Sequence, residues 1–192
     1  MKSTISYVTG NPGKVWEVSR YIEAQVPDIH IEQANIDLVE PQDLDLKKIA
    51  LAKATQAWEQ IKKPLIVDDA GFFVEKYPNF PGFMSKFISL TIGMEGVMKL
   101  VQPGDRAFFR LFMVYMENPE TYEFFEGRCD GSIATPTHEA HEGLPYDAIF
   151  SPDGSDKTYA EIKQIPGEDA KFAYRLKALQ KFINSYKNKK EA

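Results

Sequence analysis

Pro64-Leu65-Ile66-Val67-Asp68-Asp69-Ala70-Gly71 is the stretch whose reading decides the fold. Leu65-Ile66-Val67 is a short apolar run rich in β-branched residues, which predicts a fully buried strand ending abruptly at the acid pair. Upstream, Ile5 to Val8 is a shorter β-prone run that stops at Thr9-Gly10-Asn11-Pro12-Gly13. Val15, Val18, Ile22 and Val26 then recur at helical spacing, and His30 to Ile36 predicts a second strand. Asp43 and Asp45 are candidate caps for a helix with Leu46, Ile49, Ala50, Ala57, Trp58 and Ile61 on one face. The order is β-α-β-α-β, which predicts a layered α/β domain with a parallel component. In such sheets ligands sit at the carboxyl ends of the strands, where both polar loops fall.

The second half reads differently. Phe108 to Met116 and Tyr122 to Ile133 are long strand-like runs joined across Asn118-Pro119, a turn signal that predicts an antiparallel hairpin. Phe172, Leu176, Leu179, Phe182, Ile183 and Tyr186 predict a terminal amphipathic helix. With 192 residues, no repeats and no linker, the expectation is one domain over 1–192 with two lobes, the hairpin lobe spanning roughly 106–150.

Composition narrows the function. A net charge of −5 gives no long-range attraction to nucleic-acid polymers or anionic membranes, yet a few converging lysines can still hold a small polyanion. Lys187, Lys189 and Lys190 read as a solvated last helical turn. The lone Cys129 excludes an internal disulfide framework and reads as structural, as in a reducing compartment. No signal or transit peptide is evident, and no apolar run approaches the roughly 18 residues of a membrane span. The expectation is a soluble, cytoplasmic protein.

Three motifs could carry chemistry. Thr9-Gly10-Asn11-Pro12-Gly13-Lys14 follows a strand and opens a helix, where backbone N–H groups and a lysine favour an anion. It lacks the Walker A arrangement, and an ordinary βα turn ending in lysine has the same sequence look. Asp68-Asp69 is sharper. Adjacent carboxylates repel, and their placement makes more sense with a hard cation such as Mg²⁺, held by one or two carboxylates plus substrate phosphates. Glu40 follows the second strand and is a candidate third acid; the bland alternative is an acidic capping turn. Gly143-Leu144-Pro145-Tyr146-Asp147 offers an aromatic face beside an acceptor, which suits a base pocket.

Together these motifs resemble the inosine triphosphate pyrophosphatase family. The matching residues are Thr9-Gly10-Asn11 with Lys14 and Glu17, then Glu40, Lys53 and Asp68-Asp69-Ala70-Gly71-Phe72. They continue in family order through Phe80-Pro81-Gly82, Ser85-Lys86, Tyr146 to Phe150, Thr158-Tyr159-Ala160-Glu161 and Arg175. The stretch from Ile66 to Gly96 looks most like archaeal members.

The resemblance implies an elongated, two-lobed α/β fold with a mixed sheet flanked by helices and a nucleotide cleft between lobes, usually as a homodimer. It implies hydrolysis of non-standard purine triphosphates to monophosphate and pyrophosphate. Thr9, Gly10, Asn11, Lys14, Lys53 and Lys86 would hold the triphosphate. Glu40, Asp68 and Asp69 would bind Mg²⁺, with Asp69 accepting a proton from water and Lys14 assisting catalysis.

Base recognition departs from the family pattern. Ala70 stands where Ser or Thr is usual, Leu144 where Phe is usual, and Ala173-Tyr174-Arg175 replaces Ser-His-Arg. The expected pocket lysine falls on Asp169, with Lys171 nearby. Residues left to meet the base are Ala70, Leu144, Tyr146, Asp147, Lys171, Tyr174 and Arg175. Competing readings are a pyrophosphatase with relaxed base specificity, a nucleotide-binding sensor or relic with little catalysis, and an acidic interaction module; the last leaves the consecutive aspartates unexplained.

Overall fold

β1 (Ser3–Val8) pairs in parallel with β2 (Ile29–Ala34) on one side and with β3 (Leu65–Val74) on the other. This computed structural model describes residues 2–136 and 145–191, so the Leu144 position lies outside the described residues. The helices α1 (Pro12–Gln25) and α2 (Leu46–Ile61) are the crossovers. The chain steps from β1 to β2 in one direction and returns past β1 to β3 in the other. Right-handed crossovers therefore place α1 and α2 on opposite faces of these strands. The reversal of strand order falls between β1 and β3.

Among the described residues seven strands form one mixed sheet in the order β2-β1-β3-β5-β6-β7, with β4 (Pro81–Gly82) added on β3. The sheet is flanked by helices, which agrees with the α/β expectation. β5 (Arg106–Asn118) and β6 (Thr121–Ile133) are neighbours joined by two residues, Pro119-Glu120, which requires an antiparallel hairpin. β7 (Phe150–Pro152) pairs antiparallel with β6. The terminal helix α6 runs Tyr174–Glu191, beginning two residues after Phe172.

One expectation is overturned. The strand predicted to stop at the acid pair instead runs through it, from Leu65 to Val74. An extended backbone sends successive side chains to opposite faces. Asp68 and Asp69 therefore part, and each meets cations on its own side, so their charge does not force a turn.

The chain divides into two compact units. The first comprises Met1–Asp69, Leu111–Gly127 and Arg175–Ala192; the second comprises Ala70–Arg110 and Arg128–Tyr174. Each hairpin strand contributes to both. The first unit buries Ile5, Val18, Ile22, Ile49, Leu65 and Phe182. The second is built on an aromatic cluster in which Phe72, Phe109, Phe150 and Tyr159 pack together with Ile149 and with Val97 of α4 (Gly93–Leu100).

In the second unit, β3 and β4 pair antiparallel, Phe72 opposite Gly82. Gly82 has φ +56, and a Cβ there would lie 2.5 Å from the Asn79 carbonyl oxygen. A Cβ on Gly71 would stand 2.6 Å from the Gly82 oxygen. The Ser85 hydroxyl, at the start of α3 (Ser85–Thr91), donates to that oxygen at 2.6 Å and accepts from the Phe72 N–H at 3.0 Å. Gly71, Gly82 and Ser85 thus form one backbone knot. Thr158 and Glu161 likewise form a capping box on the short helix α5 (Tyr159–Ile162). Several motifs behind the resemblance are therefore architectural.

Candidate active site

The glycine-containing loop ends in a well-made helix cap. Asn11 Oδ1 accepts from the Gly13 and Lys14 backbone N–H groups, and the Thr9 hydroxyl accepts from the Asn11 N–H at 3.1 Å. Two of the donors expected to meet an anion are thus taken by a side-chain oxygen. The cap instead fixes where α1 begins, and so where the Lys14 stem departs.

Lys14 reaches one of the two acids. Its ammonium lies 3.1 Å from Asp68 Oδ1. The other oxygen, Oδ2, accepts from the Tyr7 hydroxyl at 2.6 Å and from Arg175 Nε at 2.9 Å. Arg175 also bonds Glu17 at 3.1 Å. The sheet register explains the gathering. Tyr7 pairs with Ile66, so Tyr7, Ile66 and Asp68 share a face, the one covered by α1 and by the start of α6. Burial alone would raise the Asp68 pKa, but the charges of Lys14 and Arg175, with the hydroxyl and guanidinium hydrogen bonds, hold it far below the usual carboxylate range. Burial and the neighbouring carboxylate keep the Tyr7 hydroxyl protonated far beyond its ordinary pKa.

Asp69 turns the other way. Its Oδ1 accepts from Lys53 of α2 at 2.8 Å, and the same ammonium lies 3.1 Å from Glu40 Oε1. Burial pushes the Asp69 pKa up to about 6; Lys53 opposes the rise, while the charges of Glu40 and Asp68 add to it. Lys53 is raised despite burial, because two carboxylates face it. The lysine sees two acids, whereas Asp69 is buried, shares that one ammonium with Glu40 and has the Asp68 charge next to it in sequence. The structure therefore brings Glu40 and Asp69 together and places Asp68, grouped with them in the sequence reading, in a separate network.

In the second unit, most residues expected to meet a base are already engaged. The Tyr146 ring, 4% exposed, stacks on Phe72 at 4.7 Å, and its hydroxyl donates to the Ser85 carbonyl. Asp147 is buried and paired with Lys163. Tyr174 stacks on Phe109, 5.2 Å between ring centres and 7° from parallel. Lys171 pairs with Glu168. Ala70 follows Asp69 in β3 and brings no hydroxyl, and Lys86 is an exposed residue of α3.

Sequence reading missed two residues. Tyr7 was absorbed into an apolar strand, although a hydroxyl in a core strand is itself a signal that a polar partner waits inside. Lys163 gave none, since its pairing with Asp147 depends on the fold.

The profile of the Ham1 family matches residues 5–185. The chain belongs to the Ham1 family. Relatives include a Methanopyrus kandleri protein named dITP/XTP pyrophosphatase, 35% identical over 186 residues and covering 96% of both chains. Another is a Thermococcus kodakarensis protein of the same name, 34% identical over 182 residues, covering 94% of this chain and 95% of that one. A Trypanosoma cruzi protein named inosine triphosphate pyrophosphatase 2 is 35% identical over 179 residues, covering 91% of this chain and 88% of its own length. Among solved structures, the Staphylococcus aureus Ham1 protein superposes with a TM-score of 0.78 at 23% identity, covering 97% of this chain and 100% of that one, which speaks for a shared Ham1 fold. Among the described residues, no helix is long and apolar enough to cross a membrane.

Proposed function

We propose that this chain is a nucleoside-triphosphate pyrophosphatase that hydrolyses non-standard purine triphosphates, such as those of inosine or xanthosine, to monophosphate and pyrophosphate. The observation that carries the reading is the Lys53–Asp69–Glu40 arrangement beside the Lys14–Asp68 pair. Two lysines and two sets of carboxylates stand just beyond the last β1–β3 pair, Tyr7 with Ile66, which suits a polyphosphate accompanied by a hard cation.

The fit to Mg²⁺ follows from the donors. Among the described residues no group of three His, Cys, Asp or Glu side chains is placed to hold a metal ion. Glu40 and Asp69 nevertheless converge on one ammonium, and two carboxylates completed by phosphate oxygens form a donor set that Mg²⁺ accepts. Glu40 and Asp69 would hold it; Asp68, whose oxygens already take three donors, holds Lys14 and Arg175 instead. Bound Mg²⁺ supplies charge that neutralises phosphate oxygens.

The protein's own groups do the rest. Thr9, Gly10 and Asn11 shape the loop, and Lys14, Lys53 and Lys86 place positive charge on the phosphates. Asp69 orients the attacking water and takes its proton; because Mg²⁺ on the same carboxylate would draw its pKa down, orientation weighs more than basicity in this role. The water oxygen bonds to the α-phosphorus, the α–β bridging P–O bond breaks, and pyrophosphate leaves with the bonding electrons.

Base recognition is relaxed in this reading, because Tyr146, Asp147 and Tyr174 spend their rings and charge on neighbours within their own unit. The protein works as a cytoplasmic homodimer. The decisive experiment is pyrophosphate release from a panel of nucleoside triphosphates with and without Mg²⁺. Mg²⁺-dependent release supports the assignment, and absence of release from every nucleotide overturns it.

A further inference from the structure

We propose that Tyr7 is a positioning residue for Lys14, acting through Asp68. The inference rests on the reading of Lys14 as a phosphate ligand. Tyr7 is fully buried in β1, where a phenylalanine would satisfy the packing without burying a hydroxyl. The hydroxyl instead sits 2.6 Å from Asp68 Oδ2, the short distance of a hydrogen bond to a charged acceptor.

The three donors on Asp68 differ in rigidity. Lys14 stands on the first turn of α1 with its side chain 32% exposed, on a flexible four-carbon stem. Arg175 depends in turn on Glu17. Tyr7 is fixed by the parallel register that sets it beside Ile66. It is the one donor held by the sheet itself. With Oδ2 taken by Tyr7 and Arg175, Oδ1 is left aimed at Lys14. Without the hydroxyl the carboxylate turns more freely, and the Lys14 ammonium follows it out of its phosphate-binding position. Tyr7 need not touch the substrate to have this effect.

The test is a double-mutant cycle on the full-length protein with Tyr7→Phe, Lys14→Met and the pair. Calorimetry with inorganic triphosphate reads binding without turnover, and inosine triphosphate with Mg²⁺ reads kcat and KM. Tyr7→Phe is expected to weaken triphosphate binding about tenfold and raise KM with little change in kcat. In the Lys14→Met background the same change is expected to add less than about twofold, because its route is already removed. A purely structural role would lower thermal stability and leave the two effects additive. Additive effects, or unchanged affinity in a folded Tyr7→Phe protein, overturn the proposal. If Tyr7→Phe does not fold, 3-fluorotyrosine at position 7 replaces it, keeping ring and hydroxyl while strengthening donation. Altered triphosphate affinity that vanishes in Lys14→Met then supports the proposal, and unaltered affinity overturns it. A wild-type protein that releases no pyrophosphate from any nucleotide overturns the proposed function while the calorimetric cycle still reads Tyr7. One that binds no inorganic triphosphate overturns the positioning role.

Discussion

Lys53 and Asp69 meet at 2.8 Å, one from a helix and the other from the sheet, and burial keeps Asp69 weakly acidic in spite of that ammonium. The pairing is lopsided because Glu40 draws on the same ammonium. Asp69 is therefore a buried carboxylate that has only a share of one ammonium. That condition leads directly to what its removal does.

Asp69→Asn is expected to lower kcat for pyrophosphate release by about 10² or more, the scale of a lost general base and water-orienting group. The fold should survive, since Glu40 still accepts from Lys53. Steady-state kinetics with circular dichroism check this. A folded Asp69→Asn protein with near-wild-type kcat would remove Asp69 from the mechanism.

The same carboxylate gives a pH dependence with a definite sign. Its pKa moves from 3.8 to about 6 on folding, so the folded state holds the proton more tightly than the unfolded one. Stability is thus lost as pH rises from about 4 through about 6, by on the order of 2 kcal/mol. Asp68 acts oppositely, its contribution being present above 3.8 and lost as pH falls toward its depressed folded pKa. Urea denaturation at pH 4.5 and 7.5 in chelator, for wild type and Asp69→Asn, isolates the Asp69 part. The mutant should gain on wild type at the higher pH. An equal stability difference at both values contradicts the assignment.

Lys14→Ala should weaken binding of inosine triphosphate by about 1.5–3 kcal/mol and leave binding of inosine nearly unchanged, because the lost charge meets phosphate. Calorimetry on the two ligands decides it. Equal losses for both would mean that Lys14 serves the fold.

How far the sequence disclosed this arrangement depended on whether a contact is local. The βαβ order, the hairpin and the Asp45 cap were legible from periodicity and turn chemistry, which act over a few residues. The candidate acids and lysines were legible as types. Their partition was not, because it depends on the pleat of a strand that was expected to end at the acids. Lys163 was invisible as a site residue and Tyr7 was marked only by a hydroxyl in a core strand, because their partners are set by register and packing, 16 and 61 positions away.

Base discrimination should be weak. Tyr146 cannot turn its ring onto a base without leaving Phe72 and the Ser85 carbonyl, so it does not replace a missing stacking ring. Values of kcat/KM for inosine, xanthosine, guanosine, adenosine and pyrimidine triphosphates at one Mg²⁺ concentration measure this. A preference for inosine or xanthosine over adenosine triphosphate of ~10³, about 4 kcal/mol, would show a site that reads the base well.

Gly82→Ala should destabilise the protein by about 2–4 kcal/mol, since φ +56 and a Cβ 2.5 Å from the Asn79 oxygen leave no room for it. Thermal melts give the answer. A shift in Tm of under two degrees would mean that the β4 turn relaxes freely.

The unbroken run of β3 through both aspartates makes the site sensitive to parity. Side chains along a strand alternate with a period of two, so one residue inserted or deleted between Leu65 and Val67, with Leu65 held in register against Ser6, would turn every following residue of β3 to the other face. An insertion would set Val67 before Tyr7 and Lys14 and Asp68 before Lys53, and a deletion would set Asp69 before Tyr7 and Lys14 and Ala70 before Lys53, so either change leaves one network without its acid. An insertion at Lys62-Lys63, after the left-handed cap of α2, leaves the pairing of Tyr7 with Ile66 untouched. Length variation is therefore excluded from three residues of strand and tolerated immediately before them, a boundary set by geometry more than by which side chains stand there.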